Sequence, residues 1–367
     1  MNSDWPVYKA DRASTSYSPL DQVNRSNVSQ LEMAWTFQSR DEELYTIECN
    51  PIVVNGIMYL TSPMLRVFAL DAATGDVLWR FDPYSHGAPR DLARWSRVNR
   101  GVVYWNDDTE GRILFTLQNH LYALNASDGS LIQSFGERGV VNLRLGLDRE
   151  TADLTVRATS PGIIFKDLLI LGSTVGEGPG PAAPGHIRAY DVRSGERVWI
   201  FHTIPHPGET GYDTWPADAW QRAGGANDWG GLSLDQERGL VFAATGSPTY
   251  DHYGADREGQ NLFSDSVVAL NASSGERVWH FQTVHHDLWD FDLPCPPNLV
   301  TVTRDGQRID AVAQVTKMGH LFLLDRETGK PLFPVEERPV RQSTLGREDL
   351  ADAALPHATS RLRRSGL

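Results

Sequence analysis

The amino-acid sequence predicts an all-β fold of the β-propeller type, and three observations carry that prediction. A hairpin-sized motif recurs along the chain, tryptophan ends several of its copies, and helical periodicity is scarce. The motif is an apolar strand bearing Ala, followed two residues on by Asp or Asn, four further on by Gly, and four further on by Trp. It is complete in VFALDAATGDVLWRF (Ala69, Asp71, Gly75, Trp79), IRAYDVRSGERVWIF (Ala189, Asp191, Gly195, Trp199) and VVALNASSGERVWHF (Ala269, Asn271, Gly275, Trp279). LYALNASDGSLIQSF (Ala123, Asn125, Gly129) and LFLLDRETGKPLFPV (Leu323, Asp325, Gly329) are weaker copies, with Gln133 and Phe333 at the Trp position.

Each part of the motif has a physical reason. Alternating apolar residues make a half-buried strand. Asp or Asn bonds its own backbone in the turn, and Gly takes the positive φ. The returning strand then carries Trp as a large packing surface. Copies lie 54, 66, 80 and 54 residues apart, room for a four-stranded blade each plus loops. A β-sandwich also contains hairpins, but five of this type in series favour a propeller. AWTF, with Trp35, resembles the Trp end of the motif without its hairpin, as expected of an outer strand that closes the last blade against the first.

Composition narrows the function. Lys and Arg number 34 against 47 Asp and Glu, a formal charge of −13, which argues against a general nucleic-acid binder because phosphate neutralisation needs a basic surface. Two cysteines, Cys49 and Cys295, exclude a disulfide framework or a cysteine-rich zinc site, and no CxxCH suggests covalent haem. No apolar run approaches the roughly 20 residues of a membrane span. MNSDWPVYKADRASTSYSPLDQ has no apolar signal-peptide core. His202, His206 and Glu209 in FHTIPHPGET imitate metal-ligand spacing, but the intervening prolines forbid the helix that would align them, so no zinc site is expected. HHDLWDFD (His285–Asp292) is different: two histidines, three carboxylates and a Trp in eight residues supply what a general base and a hard-cation site require.

The spaced Ala-Asp-Gly-Trp motif resembles the tryptophan-docking motif of quinoprotein dehydrogenases, eight-bladed propellers that hold pyrroloquinoline quinone (PQQ). DWPVYKADRASTSYSPLDQVN is similar to their mature N-terminus, and HFQTVHHDLWDFDLP followed by QVTKMGHLFLLDRETGKPLFP is similar to the glucose dehydrogenase branch. The resemblance runs from Asp4 to Val340. It implies an incomplete propeller of about five blades over residues 1–340 and a non-homologous, disordered tail over 341–367.

The resemblance also implies roles. Asp290 is the base that removes the alcohol proton, and Asp292 stands where some members add a metal ligand; Asp287 and His286 support them by hydrogen bonds. Lys317 matches a cofactor-contacting cation that stabilises charge on the quinone oxygen. Trp229 is the floor on which the planar cofactor stacks. Arg100 pairs with PQQ carboxylates, where planar bidentate recognition favours Arg over Lys. Glu48 lies beside the cofactor, and Thr159 with Ser173 or Thr174 donates hydroxyls to it. Glu177 is the metal-binding glutamate, and Ser247 stands where the family has a metal-binding Asn, a poorer donor to Ca²⁺ than a carbonyl oxygen. Arg94 and Trp95 occupy the place of the vicinal cysteines of methanol dehydrogenases. The expected chemistry is oxidation of a sugar or alcohol hydroxyl with PQQ and a divalent cation, most simply Ca²⁺. Electrons then pass to ubiquinone or a cytochrome, and the implied compartment is the periplasm. The competing expectation is a propeller scaffold or inactive fragment that binds proteins without chemistry.

Overall fold

The computed structural model of the protein describes residues 4–41, 46–89, 97–339 and 354–358. Five antiparallel sheets follow one another along the chain. The first comprises Ile52–Val54, Ile57–Thr61, Val67–Asp71 and Val77–Phe81. The second comprises Val103–Asn106, Gly111–Leu117, His120–Asn125 and Val140–Asn142. The third comprises Ile163–Phe165, Leu168–Leu171, Ile187–Asp191 and Arg197–Phe201. The fourth comprises Ser233–Asp235, Leu240–Ala244, Ser266–Asn271 and Arg277–Gln282. The fifth has three strands, Asn298–Arg304, Gln307–Val315 and Leu321–Asp325. Among the described residues the α-helical content is the single turn Ala219–Arg222, as the missing 3.6-residue periodicity predicts.

The repeat motif is the last hairpin of each four-stranded sheet or its equivalent. In the first copy the Asp71 carboxylate accepts the amides of Ala73 and Thr74 at 2.9 Å, and Gly75 turns the chain at φ +77°. Why Gly must stand there becomes clear across the sheet boundary. A Cβ on Gly129 would lie 2.5 Å from the indole of Trp79 in the preceding sheet, and the same contact recurs between Gly275 and Trp199 and between Gly329 and Trp279. Each of these indoles also donates its N–H to a turn carbonyl of the next sheet, Ala126 at 3.0 Å, Ala272 at 3.2 Å and Arg326 at 3.0 Å. Where Gln133 replaces Trp, Gly195 packs against Phe135 and Val141 instead. Trp35 plays the docking part for the first sheet, 2.6 Å from a Cβ built on Gly75.

The core follows the same logic, with apolar faces of neighbouring sheets packed on each other. One cluster joins Ile52, Ala69 and Trp79 to Phe115 and Leu124; the next joins Leu114 and Ala123 to Leu169 and Tyr190. Ile170, Ala189 and Trp199 then meet Val241 and Val268, and Phe242, Val267 and Trp279 meet Val312 and Phe322. The N-terminal segment ties distant sheets together. Trp5 exchanges both backbone hydrogen bonds with Val53, while the carbonyls of Arg12 and Ala13 accept the amides of Leu234 and Leu299. After the fifth sheet, Val335–Pro339 pairs with Ala354–Ala358, and only the second of these strands lies in the 341–367 stretch expected to be a disordered tail; the rest of that stretch lies outside the described residues, as do Arg94 and Trp95.

Candidate active site

Loops from the third, fourth and fifth sheets converge on a cavity of about 180 Å³, lined by Thr174, Glu177, Trp229, Asp290, Asp292 and Lys317 among others. A somewhat larger cavity of about 230 Å³, between Tyr8, Arg12, Tyr104 and Lys166, contains no carboxylate and gathers none of the predicted residues.

One continuous polar path links most of those residues. Glu48 and Arg100 form an ion pair at 3.1 Å. Arg100 also donates to Thr159 Oγ1 at 2.9 Å, and that hydroxyl lies 2.7 Å from Thr174 Oγ1. The Arg100 guanidinium sits 5.4 Å from the centre of the Trp229 ring, within cation–π range. Trp229 Nε1 donates to Asp292 Oδ2 at 3.1 Å, and Lys317 Nζ donates to the same oxygen at 2.9 Å and to Asp290 Oδ2 at 2.8 Å. Asp292 Oδ1 accepts the Ser247 amide at 2.7 Å, a contact that requires glycine at 246, since a Cβ there would come within 2.3 Å of the carboxylate. Ser173 is buried; its carbonyl accepts from Asn227, and its side chain does not line the cavity.

Asp290 occupies a tight loop with φ +57°, a conformation that Asp tolerates better than most residues. Asp287 holds this loop. Its carboxylate accepts the amides of Trp289 at 2.9 Å and Phe291 at 2.7 Å, and also the Ser247 hydroxyl. Behind it, the fully buried Arg257 donates to the Asp287 carbonyl at 2.6 Å, and His286 Nδ1 lies 2.9 Å from the Gly259 carbonyl.

Electrostatics in the cavity are dominated by clustered carboxylates. Burial raises the Asp290 pKa; the Lys317 hydrogen bond opposes this, and the Asp292 charge reinforces it. Burial lowers the Lys317 pKa, but its hydrogen bonds to Asp290 and Asp292 outweigh this and hold it above the ordinary value. Asp251, absent from the sequence expectations, lines the same cavity and is pushed up to about 7, first by burial and then by Asp290, Glu177 and Asp292. Asp228, next to Trp229 in sequence, is buried, accepts the amides of Gly231 at 2.9 Å and Ala244 at 3.2 Å, and is also raised to about 7 by burial. No motif marked Asp251 or Asp228; adjacency to Ser247 and Trp229 was the available signal.

The residues fit a planar anionic cofactor with a hard cation. An Arg–Glu pair and two hydroxyls stand at one side, an indole anchored through its N–H lies at the cavity, and four carboxylates within electrostatic reach of one another supply oxygen donors suited to Ca²⁺.

A propeller-type stack of sheets around a carboxylate-rich cavity with an aromatic wall defines the class. The chain belongs to the family described as PQQ: glucose/ethanol/alcohol dehydrogenase, beta-propeller domain, which it matches over residues 5–364. It is 33% identical to quinoprotein glucose dehydrogenase A of Acinetobacter calcoaceticus across 93% of its own length and 45% of that protein's. To the quinoprotein glucose dehydrogenase of Escherichia coli (strain K12) it is also 33% identical, over 93% of this chain and 44% of the relative. Among solved structures it resembles the quinohemoprotein alcohol dehydrogenase from Comamonas testosteroni with a TM-score of 0.78 at 28% identity, covering 97% of this chain and 52% of that one. A europium-containing methanol dehydrogenase gives a TM-score of 0.74 at 26% identity, covering 91% and 59%. The chain thus spans about half the length of the relatives it matches.

Proposed function

We propose that this chain binds PQQ and a divalent cation, Ca²⁺ first, in the cavity around Trp229, and serves the oxidation of a sugar or alcohol hydroxyl, with electrons passing on to ubiquinone or a cytochrome in the periplasm. The observation that carries the reading is the unbroken path Glu48–Arg100–Thr159–Thr174 and Arg100–Trp229–Asp292–Lys317–Asp290, which joins every polar type such a site needs.

Arg100, Thr159 and Thr174 would hold the cofactor's carboxylates and polar edge, and Trp229 would support its plane. Glu177, Asp290, Asp292 and Ser247 would hold the cation, with Asp251 beside them. When bound, PQQ supplies a two-electron acceptor for the hydride that leaves the substrate carbon. Asp290 takes the hydroxyl proton, a role favoured by a pKa raised toward the working pH. Lys317 keeps Asp290 ionised and presents a fixed positive charge where negative charge develops. Asp287 and Arg257 orient the loop that aims Asp290.

Reconstitution with PQQ and Ca²⁺ tests this, read by quenching of tryptophan fluorescence and by dye-linked activity on glucose and simple alcohols. The expected result is saturable binding with substrate-dependent dye reduction. Absence of PQQ binding would favour the scaffold reading, in which the docking repeats serve protein contacts alone.

A further inference from the structure

A second cluster lies outside the cavity. Ile187 pairs with Phe201 across the third sheet, so the same antiparallel register sets His186 opposite His202 just beyond the strand ends. Directly opposed residues in such a ladder have Cβ atoms about 5 Å apart. His206, on the turn that follows, stacks on His202 with ring centres 3.9 Å apart and planes 12° from parallel, and His186 meets His202 edge-on at 4.8 Å. One ring nitrogen from each of the three lies within 4.8 Å of the others. The prolines of FHTIPHPGET do exclude a helix, but strand pairing supplies the third imidazole that the sequence spacing lacked.

We propose that His186, His202 and His206 form a binding site for a borderline divalent cation of the Zn²⁺ type, with Asp148 and Glu209 as its surrounding carboxylates. Three imidazoles without cysteine are a nitrogen-ligand set that suits zinc and its neighbours and leaves room for water or a carboxylate as fourth ligand. His202 already has Glu209 Oε1 2.8 Å from Nδ1 and Asp148 Oδ2 3.0 Å from Nε2. A carboxylate on the far nitrogen is how zinc-bound histidines are held, and the second carboxylate is placed to join the metal. Glu209 Oε2 also accepts the His206 amide at 2.7 Å, which fixes the turn. Trp220 packs 4.8 Å from His206 as an apolar wall. Burial, followed by the neighbouring histidines, keeps His186 well below its ordinary pKa, and burial with His202 lowers His206, so both favour the neutral, ligating form. Arg149, anchored on the carbonyls of Trp220 and Ala182, and buried Arg188 oppose a cation; Asp148 and Glu209 offset them.

Loading has a proton consequence. His186 Nδ1 accepts the Thr203 amide at 3.2 Å, so the neutral ring carries its proton on Nε2. Ligation through Nε2 moves that proton to Nδ1 and breaks this long bond. The ligand atoms must also close to roughly 3.4 Å, the separation implied by tetrahedral Zn–N bonds of about 2.1 Å, a movement within reach of ring rotation. Gly185 donates to the Gly225 carbonyl at 2.8 Å, and Gly225 lines the cofactor cavity, so a metal here would brace one wall of that cavity without entering it.

The test is titration of the metal-stripped chain with Co²⁺, followed by its visible absorption, with Zn²⁺ displacement measured calorimetrically. One equivalent with the visible bands of a nitrogen-ligated site is expected, displaced by Zn²⁺, with faster exchange of the Thr203 amide; uptake at the carboxylate cavity is separate from it. Glu209→Gln should weaken binding roughly 10–100-fold, the usual cost of losing an outer carboxylate, and His206→Ala by more than that. Glu177→Gln, in the cofactor cavity, should leave it unchanged. His206→Asn replaces the alanine form if circular dichroism shows the latter unfolded. Absence of saturable binding, binding retained in a folded His206 variant, or binding lost in Glu177→Gln would each overturn the proposal. None of these outcomes depends on PQQ activity.

Discussion

Lys317 Nζ lies 2.8 Å from Asp290 Oδ2 while also donating to Asp292, so the proposed base and its counter-charge are held as one unit by a loop between the fourth and fifth sheets and a hairpin of the fifth. That arrangement makes the base easy to isolate experimentally. Asp290→Asn keeps the shape and a hydrogen-bond acceptor for Lys317 but removes the basic carboxylate. Turnover in the dye-linked assay should fall by about 10²–10⁴-fold, the usual contribution of a positioned general base, while fluorescence titration still shows PQQ binding. Unchanged turnover would remove Asp290 from the role.

The pH profile tests the same pair from the other side. A general base works deprotonated, so activity rises with pH through the Asp290 pKa, which burial holds above the ordinary carboxylate value and Lys317 pulls back down. Lys317→Met removes the lowering influence, and the acidic limb of kcat/KM should move to higher pH. A limb that stays put or moves lower would show that Lys317 does not control the base.

Asp228 gives a stability prediction. Its carboxyl is raised from 3.8 to about 7 by burial, so the folded chain binds the proton more tightly than the unfolded chain. Its contribution is fully present below about 4 and is lost as pH rises through about 7. Asp228→Asn should therefore flatten the fall in Tm between about pH 4 and pH 7, measured by thermal denaturation. An unaltered slope would place the pH dependence elsewhere.

The docking contacts predict their own costs. Trp79→Ala removes a buried indole and its bond to the Ala126 carbonyl, and should lower stability by about 3–5 kcal/mol in chemical denaturation. Gly129→Ala meets both a positive φ of 73° and the Trp79 ring; the backbone conformation alone costs about 1–2 kcal/mol. If the two substitutions act through one contact, the double variant will be less destabilised than the sum.

Much of the fold was legible because its causes are local. Asp71, Gly75 and Trp79 lie within nine residues, and turn chemistry and strand alternation act at that range. Trp35 was readable as the Trp end of the motif, and it does dock on Gly75, but residues 34–37 form no strand, so the expected outer closing strand is not seen. Beyond the carboxylates of HHDLWDFD, the cavity was legible only through resemblance. Glu48 and Lys317 stand 269 positions apart, and no periodicity links them. Asp251 escaped notice because a lone carboxylate in a Gly- and Pro-rich loop looks like any solvated residue until three others are placed around it.

The division therefore falls by range. Residue order alone settles the repeating hairpin, the all-β class and the positive φ of the turn glycine, since each follows from local patterning and backbone sterics; that each such glycine also faces the tryptophan of the preceding sheet is decided by the fold. Tertiary structure decides which side chains share a dielectric environment. Burial and proximity raise Asp228, Asp251 and Asp290 together, and strand register brings His186 to His202. Charges and imidazoles act through space, and only the folded chain sets those distances.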